Sequence, residues 1–152
     1  MRDDLASITH DMEAALQGMS LVGMGVDLVD VAWAKRLLAQ HQDRLGKVFT
    51  ETELAYCLAK VDPASCLAAR MAAKEAVLKA LGTGLVGGMA WHEIEIVRDD
   101  LTGKPDVQLE GKARRVAEKA GVTRWALSIT HRGAYAAAIA AAIGAPQTES
   151  PA

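Results

Sequence analysis

RMAAKEAVLKALGTG, from Arg70 to Gly84, sets a carboxylate and an ammonium one helical turn apart just before a glycine-rich break. Side chains at i and i+4 share one face of a helix, so Glu75 and Lys79 project side by side. The carboxylate can hold a hard cation and the ammonium a phosphate oxygen, which suits phosphate chemistry. A surface ion pair worth only about 0.3–0.5 kcal/mol is the plainer alternative. Leu67, Met71, Leu78 and Leu81 carry the apolar spacing, so the helix is expected over Leu67 to Leu81, with Gly82 ending it. The glycines Gly82, Gly84 and Gly87 match G-x-G-x-x-G, but the dinucleotide fingerprint needs a strand before them and a helix after. Here that order is reversed. The break instead serves a sharp turn or lets backbone approach a ligand.

Working outward, LVGMGVDLVD (Leu21 to Asp30) reads as a buried strand ending in acid. Asp27 emerging from it could join Glu75 as a second oxygen ligand for Mg²⁺, which often takes only one or two protein carboxylates. Asp27 could equally cap the following helix. Near the other end, TRWALSITH alternates Trp125, Leu127 and Ile129 against Ala126, Ser128 and Thr130, the period of a strand with one packed face. His131 closes that strand beside a turn, either as a phosphate donor or as an ordinary surface histidine.

Between these segments, helical spacing runs from Val31 to Leu45, and Thr50 followed by Glu53 is a capping-box signature for another helix. Asp62-Pro63 breaks that helix. Trp91 to Arg98, the turn Asp99 to Pro105 and Val107 to Leu109 read as a β-hairpin. Lys112 to Ala120 is a short helix, and two final strands follow. Ala134 to Ala142 is alanine-rich and helix-prone by propensity, and it is read as the closing strand partly because the family that the motifs below resemble has one at this place. Leu5, Ile8, Met12 and Leu16 recur at helical spacing, so residues 1–20 form an N-terminal extension, expected to be helical. Residues 21–144 make one domain and 145–152 a frayed tail. Strands joined partly by helices and partly by hairpins give an α+β fold, a small, mainly antiparallel sheet covered by helices.

The chain has 152 residues, 51% of them hydrophobic, 24% charged, and a net charge of -2. That suits a single globular core and offers no global basic field for nucleic acid. Arg36, Arg44, Lys47, Arg70 and Lys74 are candidates for a local basic patch. Cys57 and Cys66 have no zinc-type partners and suggest no disulfide framework, so reduced thiols are expected. With no apolar run of membrane length and no signal-like start, the expectation is a cytoplasmic protein.

GMGVDLVD, FTETELAYC, LAARMAAKEAVLKALGTG, WHEIEI with GKP, and LSITH occur in an order that resembles holo-acyl-carrier-protein synthase, the small bacterial class of 4'-phosphopantetheinyl transferases. The resemblance runs from about Leu21 to about Ile143. It implies Asp27 and Glu75 as Mg²⁺ ligands and Asp27, Glu75 and Lys79 as the catalytic set. It also implies coenzyme A contacts from Lys79, Arg70, His131 and the break Gly82, Thr83 and Gly84. The implied reaction moves 4'-phosphopantetheine from coenzyme A to a serine of apo-acyl carrier protein and releases adenosine 3',5'-bisphosphate. The implied assembly is a homotrimer with sites at subunit boundaries, so His131 could serve a site whose Asp27 and Glu75 belong to a neighbour. Trp33 stands where similar proteins carry an arginine for carrier docking, and Lys35 and Arg36 could compensate. That departure keeps a second reading open, a non-catalytic module binding coenzyme A or acyl carrier protein.

Overall fold

A computed structural model describes residues 18–145. The expected N-terminal helix and almost all of the expected tail lie outside the described residues. Strand β1 (Ser20–Asp30) leads directly into helix α1 (Val31–Gln40), because Asp30 ends the strand and caps the helix, accepting a bond from Ala32 N at 2.9 Å. The capping alternative considered for Asp27 therefore belongs to Asp30, leaving the Asp27 carboxylate available. The helical run expected to Leu45 divides at His41, whose backbone (φ -138°, ψ 42°) leaves the helical region before α2 (Gln42–Val48) begins. No Pro or Gly marks that break.

Helix α3 (Glu51–Leu58) starts at the expected capping box, with Thr50 Oγ1 accepting from Glu53 N and Glu53 Oε2 from Thr50 N. Helix α4 (Pro63–Leu81) begins one turn earlier than its apolar spacing suggests. Asp62 accepts from Ser65 N, and Pro63 occupies the first turn, where its missing N–H costs nothing. Gly82 ends the helix in the left-handed region, φ 75°.

A short 3₁₀ turn (Trp91–Glu93) then feeds the antiparallel hairpin β2 (Ile94–Arg98) and β3 (Pro105–Leu109). Helix α5 (Gly111–Lys119) precedes β4 (Val122–Arg132) and β5 (Tyr135–Gly144). The alanine-rich segment is thus strand. It is the central strand of the antiparallel order β1-β5-β4, and its buried alanines Ala136, Ala138, Ala140 and Ala142 face α4. Small side chains let the long helix lie close to the sheet.

Most of α4 is buried, because it is packed on more than one side. One apolar cluster joins Ala72, Ala76, Val77 and Leu78 to the hairpin residues Ile94, Ile96 and Val107 and to β5. A second joins Ala64, Leu67 and Ala68 to Val31, Leu37, Phe49 and Cys57 on the preceding helices. Lys74, between the clusters, is fully buried. Its ammonium pairs with Glu53 at 2.9 Å, donates to Trp91 O at 3.1 Å and also to Ile94 O. Glu53 Oε1 in turn accepts from Ile96 N at 2.8 Å, so one ion pair fastens α3 and α4 to the hairpin. Lys74 and Arg70 therefore leave the expected basic patch: both are buried.

The expectation of free thiols is corrected. Cys57 and Cys66 form a disulfide with Cα atoms 5.3 Å apart. Asp62-Pro63 folds α4 back on α3, bringing the first turn of one against the last turn of the other. A separation of nine residues does not itself reveal that reversal.

Candidate active site

Asp27 and Glu75 converge. On β1, Gly23, Gly25 and Asp27 share the face toward α4, and a Cβ at Gly25 would lie 1.9 Å from Ala76 O. The strand backbone can approach the helix that closely only because the two positions before Asp27 on that face carry no side chain. Asp27 Oδ1 consequently meets Lys79 Nζ at 2.7 Å, and the ammonium also donates to Val26 O at 3.0 Å. Glu75, one turn before Lys79, is half-buried. Its carboxyl is held above the usual range first by burial and then by the Asp27 charge, with Lys79 opposing. The Lys79 ammonium is raised chiefly by its bond to Asp27.

Among the described residues no three His, Cys, Asp or Glu side chains gather as a metal site. The pair alone nonetheless fits a hard divalent cation, since Mg²⁺ commonly takes one or two carboxylates and fills its octahedron with waters and phosphate oxygens. Such a cation would offset the Asp27 charge, which after burial helps hold the Glu75 carboxyl up. Gly82, Thr83 and Gly84 follow Lys79 after Ala80 and Leu81, the last two residues of α4. Thr83 Oγ1 donates to Gly84 O at 3.1 Å, and this exposed turn lies beyond the end of α4.

Arg70 and His131 belong to a second group. Both line a cleft of about 450 Å³ together with Tyr56, Lys60, Asp62 and Arg98. The Tyr56 ring collects cations: Lys60 Nζ lies 4.2 Å and Arg70 Cζ 4.3 Å from its centroid, and Arg98 donates to its hydroxyl at 2.8 Å. Burial raises the phenol, but the bonds to Arg98 and Lys60 outweigh it and hold the group below its ordinary value. Arg70 is 8% exposed, and its Nε is a buried donor with no hydrogen-bond partner among the described residues. A buried guanidinium nitrogen without a partner, beside Lys60 and Arg98, suits an anionic ligand.

Tyr56, Lys60 and Arg98 were not singled out from sequence. They come from α3, the turn after it and the end of β2, and nothing in their local spacing shows that they meet. The two groups also stand apart within one chain. Asp27 lies on β1 and His131 on β4, with β5 between them, a span of about 10 Å across two strand spacings.

Residues 23–140 match the family model described as the 4'-phosphopantetheinyl transferase superfamily. A holo-[acyl-carrier-protein] synthase of Moorella thermoacetica is 47% identical over 116 residues, covering 76% of this chain and 89% of that protein. The crystal structure of a holo-ACP-synthase from Plasmodium yoelii aligns with TM-score 0.73 at 32% identity, over 85% of this chain and 99% of that one. A Bacillus anthracis holo-(acyl-carrier-protein) synthase solved in complex with CoA aligns with TM-score 0.66 at 26% identity, over 82% and 98% of the two chains. Fold and sequence agree, and the chain belongs with the holo-[acyl-carrier-protein] synthases, enzymes of the 4'-phosphopantetheinyl transferase superfamily.

Proposed function

We propose that this protein transfers 4'-phosphopantetheine from coenzyme A to a serine hydroxyl of apo-acyl carrier protein, in a Mg²⁺-dependent reaction that releases adenosine 3',5'-bisphosphate. The observation that carries it is the meeting of Asp27, Glu75 and Lys79 at the contact of β1 with α4. Asp27 and Glu75 would hold the Mg²⁺, which when bound neutralises diphosphate charge and orients the reacting phosphorus. Lys79, released from Asp27, would donate to the departing phosphate. The turn at Gly82, Thr83 and Gly84 would offer backbone to the same ligand, as the α4 break allows. Arg70 and His131 would bind the coenzyme's phosphates, helped by Lys60 and Arg98.

We propose that the site is assembled from two copies, with the carboxylates from one and the cleft from its neighbour, an arrangement that the separation of the two groups by β5 allows. The outer face of the sheet favours such an assembly. Met24, Val26, Leu28, Tyr135 and Ile139 all project from it, and Val26 and Leu28 are 61% and 63% exposed. An apolar patch of this kind is a usual association surface, and the proposed assembly is a homotrimer. Acyl carrier protein would dock beside Trp33, Arg36, Leu37 and Arg44, which line a shallow depression on α1 and α2. Exposed arginines there suit an acidic partner. The proposed setting is the cytoplasm, and none of the described helices is long and apolar enough to cross a membrane.

Incubation with coenzyme A, Mg²⁺ and apo-acyl carrier protein, read by mass spectrometry of the carrier, tests the reaction. The carrier should gain one phosphopantetheine group, and Glu75→Gln should abolish the gain with the fold intact. Binding of coenzyme A without any gain would identify a non-catalytic module instead.

A further inference from the structure

We propose that the Cys57–Cys66 pair is a redox switch that sets the charge of the coenzyme cleft. The proposal rests on the reading above that this cleft takes the anionic co-substrate. Cys57 is fully buried, whereas Cys66 is half-buried and lines the cleft with Arg70, Arg98, Lys60 and His131. Arg70 Nη1 lies 3.5 Å from Cys66 Sγ. In the disulfide that sulfur is neutral and takes only a weak hydrogen bond from Arg70, which a phosphate can displace. In the reduced protein the same guanidinium stands beside a thiol and favours its thiolate, the form in which a cysteine next to a cation reacts. Reduction therefore places a negative charge on the wall of a cation-lined cleft and engages the arginine that an anionic ligand needs.

The oxidation is a thiol–disulfide exchange with a low-molecular-weight disulfide, R–S–S–R. The Cys66 thiolate attacks one sulfur of the small disulfide, forming a Cys66–S–S–R bond and expelling R–S⁻, which takes up a proton. Cys57, already in position, then attacks the Cys66 sulfur. The S–S bond between Cys66 and the small thiol breaks, and a second R–SH leaves carrying the Cys57 proton. In sum two protein thiols lose two electrons and two protons, and one small disulfide becomes two thiols. Because Cys57 is enclosed, Cys66 is the point of entry in both directions.

Charge and cross-link make different predictions for single variants. Cys66→Ser lacks both the bond and the thiolate, so it should bind coenzyme A like the oxidised parent. Cys57→Ser lacks the bond but keeps the Cys66 thiol, so it should bind like the reduced parent. The test equilibrates the full-length protein with oxidised or reduced glutathione and assigns the thiol state by differential alkylation and mass spectrometry. Coenzyme A binding is then titrated calorimetrically for each form and variant, with circular dichroism checking the fold. The reduced parent and Cys57→Ser should bind roughly fivefold more weakly than the oxidised parent and Cys66→Ser.

Failure of oxidised glutathione to close the bond overturns the proposal, as does equal affinity of the oxidised and reduced parent. Equal affinity of the two serine variants overturns the charge mechanism. His131→Ala serves as the control on the site. If it binds coenzyme A as tightly as the parent, the cleft reading falls and the switch with it. If it binds weakly while the two redox forms bind alike, the switch alone falls.

Discussion

Lys74 and Glu75, adjacent in the chain, have opposite fates because each residue turns a helix by about 100°. Glu75 faces the β1 edge, while Lys74 enters the core and pairs with Glu53, both side chains at 0% exposure. Burial pulls the Lys74 ammonium down and Glu53 pushes it back up. Removing one partner strands the other charge, so Lys74→Met should cost about 3–5 kcal/mol in urea unfolding. Adding Glu53→Gln should restore part of that loss. Glu93 offers a pH-dependent case. Its carboxylate accepts from Ala90 N at 2.9 Å and Lys112 N at 2.8 Å, and these bonds, the Ala90 bond foremost, hold it below the usual range. A depressed carboxyl adds stability above its ordinary pKa and loses it as pH falls through the depressed value. Glu93→Gln should therefore unfold about 1 kcal/mol more easily at pH 7, and thermal scans should show the gap closing below about pH 4. At this scale the sequence revealed the local devices. The Thr50–Glu53 capping box was legible in four residues, but Glu53's bonds to Lys74 and Ile96 were not, because those partners are set by tertiary packing.

Among elements, the contact of β1 with α4 decides whether two carboxylates meet. A Cβ at Gly25 would enter Ala76 O at 1.9 Å, and that carbonyl belongs to helix backbone that cannot step aside cheaply. Gly25→Ala should therefore cost about 3 kcal/mol or more and weaken Mg²⁺ binding in whatever fraction still folds. Gly46→Ala is the matched control. It sits inside α2 with nothing within 4 Å of the added methyl, and it should stabilise the protein by about 0.5–1 kcal/mol. Both effects are read from denaturation midpoints. Helix α4, the hairpin and α5 were all legible from apolar period and turn residues, with ends shifted by a turn or less. The break at His41 was not, since it carries no Pro or Gly. Alternate glycines on β1 were visible as small residues, but their role needed the helix on the other side. The Cys57–Cys66 bond was missed for the same reason: it depends on how α3 and α4 fold back at Asp62-Pro63.

For the whole molecule, the position of β5 governs how the proposed site can be completed. The motif order identified the family and the Asp27–Glu75–Lys79 group from sequence. The second group was only half visible, as His131 and Arg70, because Tyr56, Lys60 and Arg98 converge from separate elements around one ring. If different copies supply the two groups, two inactive proteins can repair each other. Asp27→Asn and His131→Ala preparations, each without transfer activity, should regain roughly a fraction of it when unfolded and refolded together. No recovery would mean that a single copy builds its own site. A strand of alanines between the halves thus carries a genetic consequence: two different null alleles expressed in one cell would complement, whereas two lesions in the same half would not.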